Sequence, residues 1–159
     1  MATTSGFRVI AMSEKLADHV RETGKSPGYG HPAHTDLADG PWPCRVCLER
    51  KDPHGERRIL FTYDPFHKLE ELPLPGPVYV HEERCERFTG DNRFPEDLRN
   101  VPLTFNAYGN GRRLVAQEYV ADGAVEPVIA ALLARPEVAY VHLRHTRAGC
   151  YLARIERAA

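Results

Sequence analysis

Proline is the residue that most constrains how this chain can fold. The sequence contains 13 prolines, and most of them lie between Pro27 and Pro102. A proline inside a helix removes a hydrogen bond and clashes with the preceding turn, so long helices are excluded from this stretch. Proline also favours tight turns and the extended segments that flank them. The central part of the chain is therefore predicted to consist of strands and turns.

Short segments with alternating apolar residues fit this expectation. In RRILFTY, for example, Ile59, Phe61 and Tyr63 fall on one side of a strand. A Gly-Asn-Gly turn at 109–111 predicts a hairpin between the strands on either side of it. Strands are predicted over 7–11, 57–63, 77–81, 102–108, 112–120, 138–144 and 150–156.

Two helices are predicted at the edges of the proline-rich stretch. Ser13 can cap the first helix, which runs to about Glu22 and is ended by Gly24. Asp122 is the expected N-cap of the second helix, and Pro136 marks its end. Strands without regular βαβ alternation indicate an α+β fold, with a mainly antiparallel sheet and one or two packed helices.

Length and charge limit the class of protein. A chain of 159 residues has the size of one domain, so 1–159 is predicted to be a single domain with a Pro/Gly/His-rich loop at about 25–43. Its 21 basic and 22 acidic residues provide no basic field for nucleic acid or for a membrane surface. The sequence shows neither a membrane-spanning apolar run nor a secretory signal, which predicts a cytoplasmic protein with reduced thiols. The oligomeric state is left open.

Two pairs of potential metal ligands give the sharpest functional signal. Cys44 and Cys47 form a C-x-x-C pair, and His81 and Cys85 form an H-x-x-x-C pair at the end of a predicted strand. Three thiolates and one imidazole can complete a tetrahedron around zinc, which soft sulfur ligands favour over magnesium or calcium. The 33 residues between the two pairs are more than compact zinc modules usually have. The sequence therefore predicts a Cys3His zinc site. Four protein ligands favour a structural role over a catalytic one, but the ligand count alone leaves both open.

A redox role for the C-x-x-C pair is the first alternative. Thioredoxin-like motifs place the pair at a helix N-terminus within a βαβ unit, where the thiolate pKa is lowered. Here Pro53 would end such a helix soon after Cys47, and no βαβ unit surrounds the motif. The metal-binding interpretation is therefore favoured.

Cys150, the fourth cysteine, gives a second alternative. If Arg144 lies opposite Cys150 in the C-terminal hairpin, then Cys150 shares a sheet face with Arg144 and His142. These neighbours could favour a thiolate and accept its proton, which would make the three residues catalytic. The alternative function is thus a small-molecule enzyme that uses Cys44 or Cys150, assisted by Arg45, Arg144 and His142. A small-molecule ligand is the partner that it implies.

Four segments resemble a known family: PWPCRVCLE, HGERRILFTYDPF, GPVYVH and VAYVHLRHTRAGCYLARIER. In combination they are similar to the bacterial domain-of-unknown-function family 1203, and the similarity runs through most of the chain. The resemblance implies a compact single-domain bacterial protein and assigns no activity. It draws attention to Cys44, Arg45, Glu56, Pro77 and Cys150, which fall in the family's motif blocks.

Overall fold

The computed structural model describes residues 6–38, 42–50, 56–67 and 69–158 of the chain. Within these residues it shows two α-helices and eight strands in two antiparallel sheets, which confirms the predicted α+β fold. None of the described helices is long and apolar enough to cross a membrane. The elements are β1 (Phe7–Ile10), α1 (Glu14–Thr23), β2 (His34–Leu37), β3 (Arg57–Tyr63), β4 (Gly76–His81), β5 (Leu103–Tyr108), β6 (Leu114–Val120), α2 (Glu126–Leu133), β7 (Tyr140–His145) and β8 (Tyr151–Arg157).

The chain divides into two compact units, which we describe separately. The three-stranded unit is Ala11–Phe88 and contains α1 and the sheet β2-β3-β4. The five-stranded unit is formed by Met1–Ile10 and Thr89–Ala159, and it contains α2 and the sheet β1-β8-β7-β5-β6. The prediction of one domain over 1–159 stays a prediction.

Helix α1 of the three-stranded unit has the ends that its sequence predicts. The Ser13 hydroxyl accepts a hydrogen bond from the Leu16 backbone N–H at 3.1 Å, which satisfies one of the free donors of the first turn. Gly24 follows the helix in the left-handed conformation (φ 66°), and its N–H bonds to the Val20 carbonyl. The buried face of α1 carries Ala17 and Val20.

Strand β2 corrects the prediction of a loop over 25–43. It pairs with β3 in antiparallel register, from His34 opposite Leu60 to Leu37 opposite Arg57. All four β2 residues are exposed, so the strand lacks the apolar alternation by which strands are recognised. An ion pair between Asp36 and Arg58 (2.7 Å) supports the pairing. Residues 39–41 of the predicted loop lie outside the described residues.

In the five-stranded unit β7 is the central strand, and all six residues of the neighbouring β5 are buried. Strand β6 pairs with one edge of β5 and β7 with the other. Asp122 is not the N-cap of α2, which corrects the prediction: its carboxylate accepts from the Ala124 N–H (3.0 Å), and Val125 holds the N-cap position. The helix therefore begins at Glu126, four residues after the expected capping residue.

The register of the C-terminal hairpin is shifted by two residues from the predicted one. Val141 lies opposite Ile155 and Leu143 opposite Ala153, and a bulge then places Arg144 opposite Tyr151. The prediction that Arg144 lies opposite Cys150 is therefore wrong. A shift of two residues keeps every side chain on its own face, so the apolar pattern cannot distinguish the two registers.

Candidate metal centre

The first ligand pair lies in a tight turn of the three-stranded unit. The Leu48 N–H bonds to the Cys44 carbonyl at 2.8 Å, and the Cys44 N–H bonds to the Glu49 carbonyl at 3.2 Å. Leu48 adopts a positive φ of 58°, which lets the chain reverse directly after Cys47. Both cysteines are buried. The turn therefore holds two sulfur atoms close together and away from solvent.

The second ligand pair is brought to this turn by strand β4. The Arg45 N–H donates to the Tyr79 carbonyl at 3.0 Å, which joins the turn to β4. His81 ends that strand and is buried, and Cys85 follows four positions later with partial exposure. Backbone hydrogen bonding thus brings the two candidate ligand pairs together, although 33 residues separate them in the sequence.

The four predicted ligands converge. Their donor atoms all lie within 4.8 Å of one another. The sulfurs of Cys44 and Cys85 are 3.7 Å apart, and the Cys47 sulfur is 3.5 Å from His81 Nδ1. In a regular tetrahedron with zinc–sulfur bonds of about 2.3 Å and zinc–nitrogen bonds of about 2.0–2.1 Å, these separations would be about 3.8 Å and about 3.5–3.6 Å. The two distances therefore match the edges of a tetrahedral metal site.

Backbone N–H groups and one arginine surround the sulfur atoms. The N–H groups of Val46 and His81 point at the Cys44 sulfur at 3.4 and 3.3 Å. Arg21 of α1 lies 4.0 Å from the Cys85 sulfur through Nη2 and donates through Nε to the His81 carbonyl at 3.0 Å. Three thiolates around one divalent ion would leave excess negative charge on the sulfur atoms. Hydrogen-bond donors of this kind stabilise that charge.

Glu56 completes the surroundings of His81. Its carboxylate contacts His81 Nε2, the ring nitrogen that faces away from Cys47. A histidine that binds metal through one nitrogen usually donates its other N–H to a carboxylate or carbonyl, which fixes the tautomer and the ring orientation. Glu56 therefore leaves Nδ1 as the ligand atom. The sequence draws attention to Glu56 through a family motif block, but no spacing rule relates Glu56 to His81.

Comparison with known families gives one match. The family model described as a protein of unknown function (DUF1203) matches residues 41–157, and this span includes every candidate site residue. The chain belongs to the DUF1203 family. No curated protein and no solved structure matches the chain significantly. The family assignment thus confirms the predicted resemblance, and the chemistry of this DUF1203 protein must be inferred from its own residues.

Without a bound metal ion, the cluster in the DUF1203 protein favours one thiolate beside a cationic histidine. Burial raises the pKa of the Cys44 thiol, but hydrogen bonds with Cys47, Cys85 and His81 outweigh it and bring that pKa below its ordinary value. Hydrogen bonds with Cys44 and Cys85, together with burial, raise the pKa of Cys47. Burial lowers the pKa of His81, whereas hydrogen bonds with Cys44 and Cys85 and the nearby charges raise it to about 10. Negative charge therefore accumulates at the Cys44 sulfur.

The second group of predicted residues lies in the five-stranded unit. His142 is fully buried, and its ring is 5.1–5.2 Å from the rings of Tyr108, Tyr140 and Tyr151. Cys150 is 8% exposed and directly precedes β8. Tyr151, not Cys150, lies opposite Arg144. Arg144 still lies near this thiol: its Nη1 donates to the Gly149 carbonyl at 3.1 Å, and burial lowers the pKa of Arg144 while Cys150 is among the groups that oppose the shift. A catalytic role for Cys150, His142 and Arg144 stays a prediction.

Proposed function

We propose that this DUF1203 protein binds one zinc ion through Cys44, Cys47, His81 and Cys85, and that the ion has a structural role. The observation that carries the proposal is the convergence of three sulfurs and one imidazole nitrogen within 4.8 Å. Thiolate ligands select zinc over hard cations such as magnesium and calcium, which prefer oxygen. A Cys3His set is one of the common ligand sets of structural zinc sites.

Ligand number and burial support a structural role. Catalytic zinc usually has three protein ligands and an open position for water, whereas four protein donors fill a tetrahedron. Three of the four residues are buried, and only Cys85 is partly exposed. The ion would join the turn that carries Cys44 and Cys47 to the end of β4. Its binding free energy would therefore add to the stability of the three-stranded unit.

Elemental analysis of protein purified without chelators tests the proposal. We expect close to one zinc per chain in the parent protein and substantially less in Cys47→Ala. Cys150→Ser is the matched control, because it removes a buried thiol outside the cluster and should leave the zinc content unchanged. Cobalt substitution should give the visible absorption of a tetrahedral thiolate site. Protein without zinc, or equal zinc loss in both variants, would contradict the proposal.

Thermal unfolding tests the structural role separately. We expect Cys47→Ala, or the parent protein after complete chelation, to melt at a lower temperature than the zinc-bound parent. A chain of 159 residues can bury a sizeable core without zinc, so we expect reduced stability and not complete unfolding. An unchanged melting temperature after verified zinc removal would exclude a structural role and leave zinc binding itself intact.

A further inference from the structure

The four candidate zinc ligands differ in their access to solvent. Cys44, Cys47 and His81 are buried, whereas Cys85 is partly exposed. Cys85 also lies outside the helices and strands, four positions after the end of β4, so strand pairing does not fix its backbone. Its sulfur is therefore the part of the cluster that a reagent from solvent reaches first.

The surroundings of the Cys85 sulfur favour its thiolate form. Arg21 Nη2 lies 4.0 Å from this sulfur, and an ion pair between Arg21 Nη1 and Asp18 (3.0 Å) helps to hold the guanidinium in position. The thiolate is the nucleophilic form of cysteine, and reactive cysteines are typically partly exposed and next to a cationic side chain. Cys85 meets both conditions.

The sulfur of Cys44 is close enough to form a disulfide with Cys85. The two sulfur atoms are 3.7 Å apart, and a disulfide bond of about 2.05 Å requires them to approach by about 1.7 Å. The N–H groups of Val46 and His81 point at the Cys44 sulfur and stabilise it as a thiolate. Cys44 is fixed in its turn, so the movement falls to the irregular segment that carries Cys85.

We propose that hydroperoxides oxidise the candidate zinc centre at Cys85 and thereby release the ion, an inference that rests on the zinc binding proposed above. The Cys85 thiolate attacks one oxygen of hydrogen peroxide, the O–O bond breaks, and hydroxide leaves, so that Cys85 becomes a sulfenic acid. The Cys44 thiolate then attacks the Cys85 sulfur, which forms the disulfide and expels a second hydroxide. The peroxide has accepted two electrons from the two thiolates, and two protons from solvent convert both hydroxides to water.

Formation of this disulfide leaves only Cys47 and His81 as ligands for the ion. Structural zinc is almost always held by four ligands, so the ion leaves the oxidised site. The binding free energy of the ion is then lost from the three-stranded unit, which becomes less stable. A dithiol can reduce the disulfide by exchange and restore the four ligands. The centre is thus a reversible switch that responds to peroxide.

The test uses the full zinc-loaded chain, whose zinc content is measured before hydrogen peroxide is added. A chromogenic zinc chelator follows the release of the ion, and mass spectrometry without reduction identifies the disulfide. Trypsin cleaves after Arg45 and Arg84, so Cys44, Cys47 and Cys85 fall in three separate peptides and the bond is assigned directly. We expect zinc release together with a Cys44–Cys85 bond, and recovery of zinc binding after treatment with dithiothreitol and zinc.

Variants identify the sulfur that reacts. Cys85→His replaces the exposed thiolate by a nitrogen ligand that zinc also accepts, and it cannot form the disulfide. We expect peroxide to release zinc from this variant at least tenfold more slowly than from the parent. Cys150→Ser is the matched control, because it removes a thiol outside the cluster, and it should release zinc as the parent does. The peptide assignment is made on the parent protein, so it holds even if Cys85→His binds zinc poorly.

The outcomes separate this inference from zinc binding itself. Zinc that stays bound to the parent under peroxide, or leaves Cys85→His equally fast, would overturn the inference and leave the zinc site intact. Zinc release with a Cys44–Cys47 disulfide, or with no disulfide, would overturn the role of Cys85 and Cys44. A parent protein purified without zinc would overturn both proposals.

Discussion

His142 gives the five-stranded unit a dependence on pH that can be measured. The side chain is fully buried, and burial followed by the charges of Arg144, Arg154 and Arg112 lowers its pKa to about 3. In the unfolded chain the same imidazole has a pKa of about 6.5. Between these two values the unfolded state binds a proton that the folded state does not. Stability is therefore lost as the pH falls below about 6.5, and the loss continues until the pH approaches about 3.

The size of the effect follows from the two pKa values. At pH 7 the unfolded-state imidazole is mostly neutral, and its protonation costs only about 0.2 kcal/mol of folding free energy. At pH 5 the cost is about 2 kcal/mol, because the unfolded-state pKa is about 1.5 units above the pH. Lowering the pH from 7 to 5 should thus remove about 2 kcal/mol through His142 alone. This amount is a large share of the stability of a typical domain.

Comparison of the parent with His142→Gln isolates this contribution. The variant cannot take up this proton. Stability losses from the candidate metal ligands and other groups cancel in the difference between the two proteins. We expect the free energy of unfolding in urea to fall by about 2 kcal/mol more for the parent than for the variant between pH 7 and 5. NMR should show a His142 ring signal that does not titrate over the same range. Parallel stability curves, or a folded-state pKa near 6.5, would refute the reasoning.

Three further predictions concern single contacts. Glu56→Gln removes the charge that orients His81, and we expect zinc affinity to fall about 10- to 100-fold in a competition assay with a chelator, whereas an unchanged affinity would show that the contact is incidental. Ser13→Ala removes the hydroxyl that caps α1 and should cost about 1 kcal/mol in denaturant unfolding, with no change in zinc content. Cys150 is 8% exposed and should react with iodoacetamide far more slowly in the folded than in the unfolded protein. Rapid labelling of Cys150 in the folded state would support the reactive-cysteine enzyme instead.

The sequence was most informative where a residue acts on its immediate neighbours. Ser13 and Gly24 specify the ends of α1 through backbone groups within four positions, and both predictions are confirmed. The sequence predicts strand β3 with its observed bounds, because Ile59 and Phe61 alternate in a short apolar segment and both are buried. The candidate metal ligands are recognisable in the sequence because C-x-x-C and H-x-x-x-C are themselves local patterns. They converge in the structure because β4 lies beside the turn that carries Cys44 and Cys47.

The remaining features depend on contacts that no local pattern encodes. Strand β2 is fully exposed and is defined only by its pairing with β3, so its sequence carries no strand signal. The hairpin register depends on a bulge beside Arg144, and the apolar pattern of β7 and β8 is compatible with either register. The contact between Glu56 and His81 joins residues 25 positions apart. Each of these features is set by tertiary structure, which a single sequence does not display.

The pairing of β1 with β8 has a consequence for the order in which the chain can fold during synthesis. The three-stranded unit is continuous in sequence, so Ala11–Phe88 have all been made before the ribosome adds the first residue of β5. That unit can form early, together with the four candidate ligands that it contains. β1 is made before it, yet its partner strand β8 follows all the other described elements along the chain. In a nascent chain halted before Tyr151, the three-stranded unit is complete in sequence, whereas β1 has no β8 to pair with.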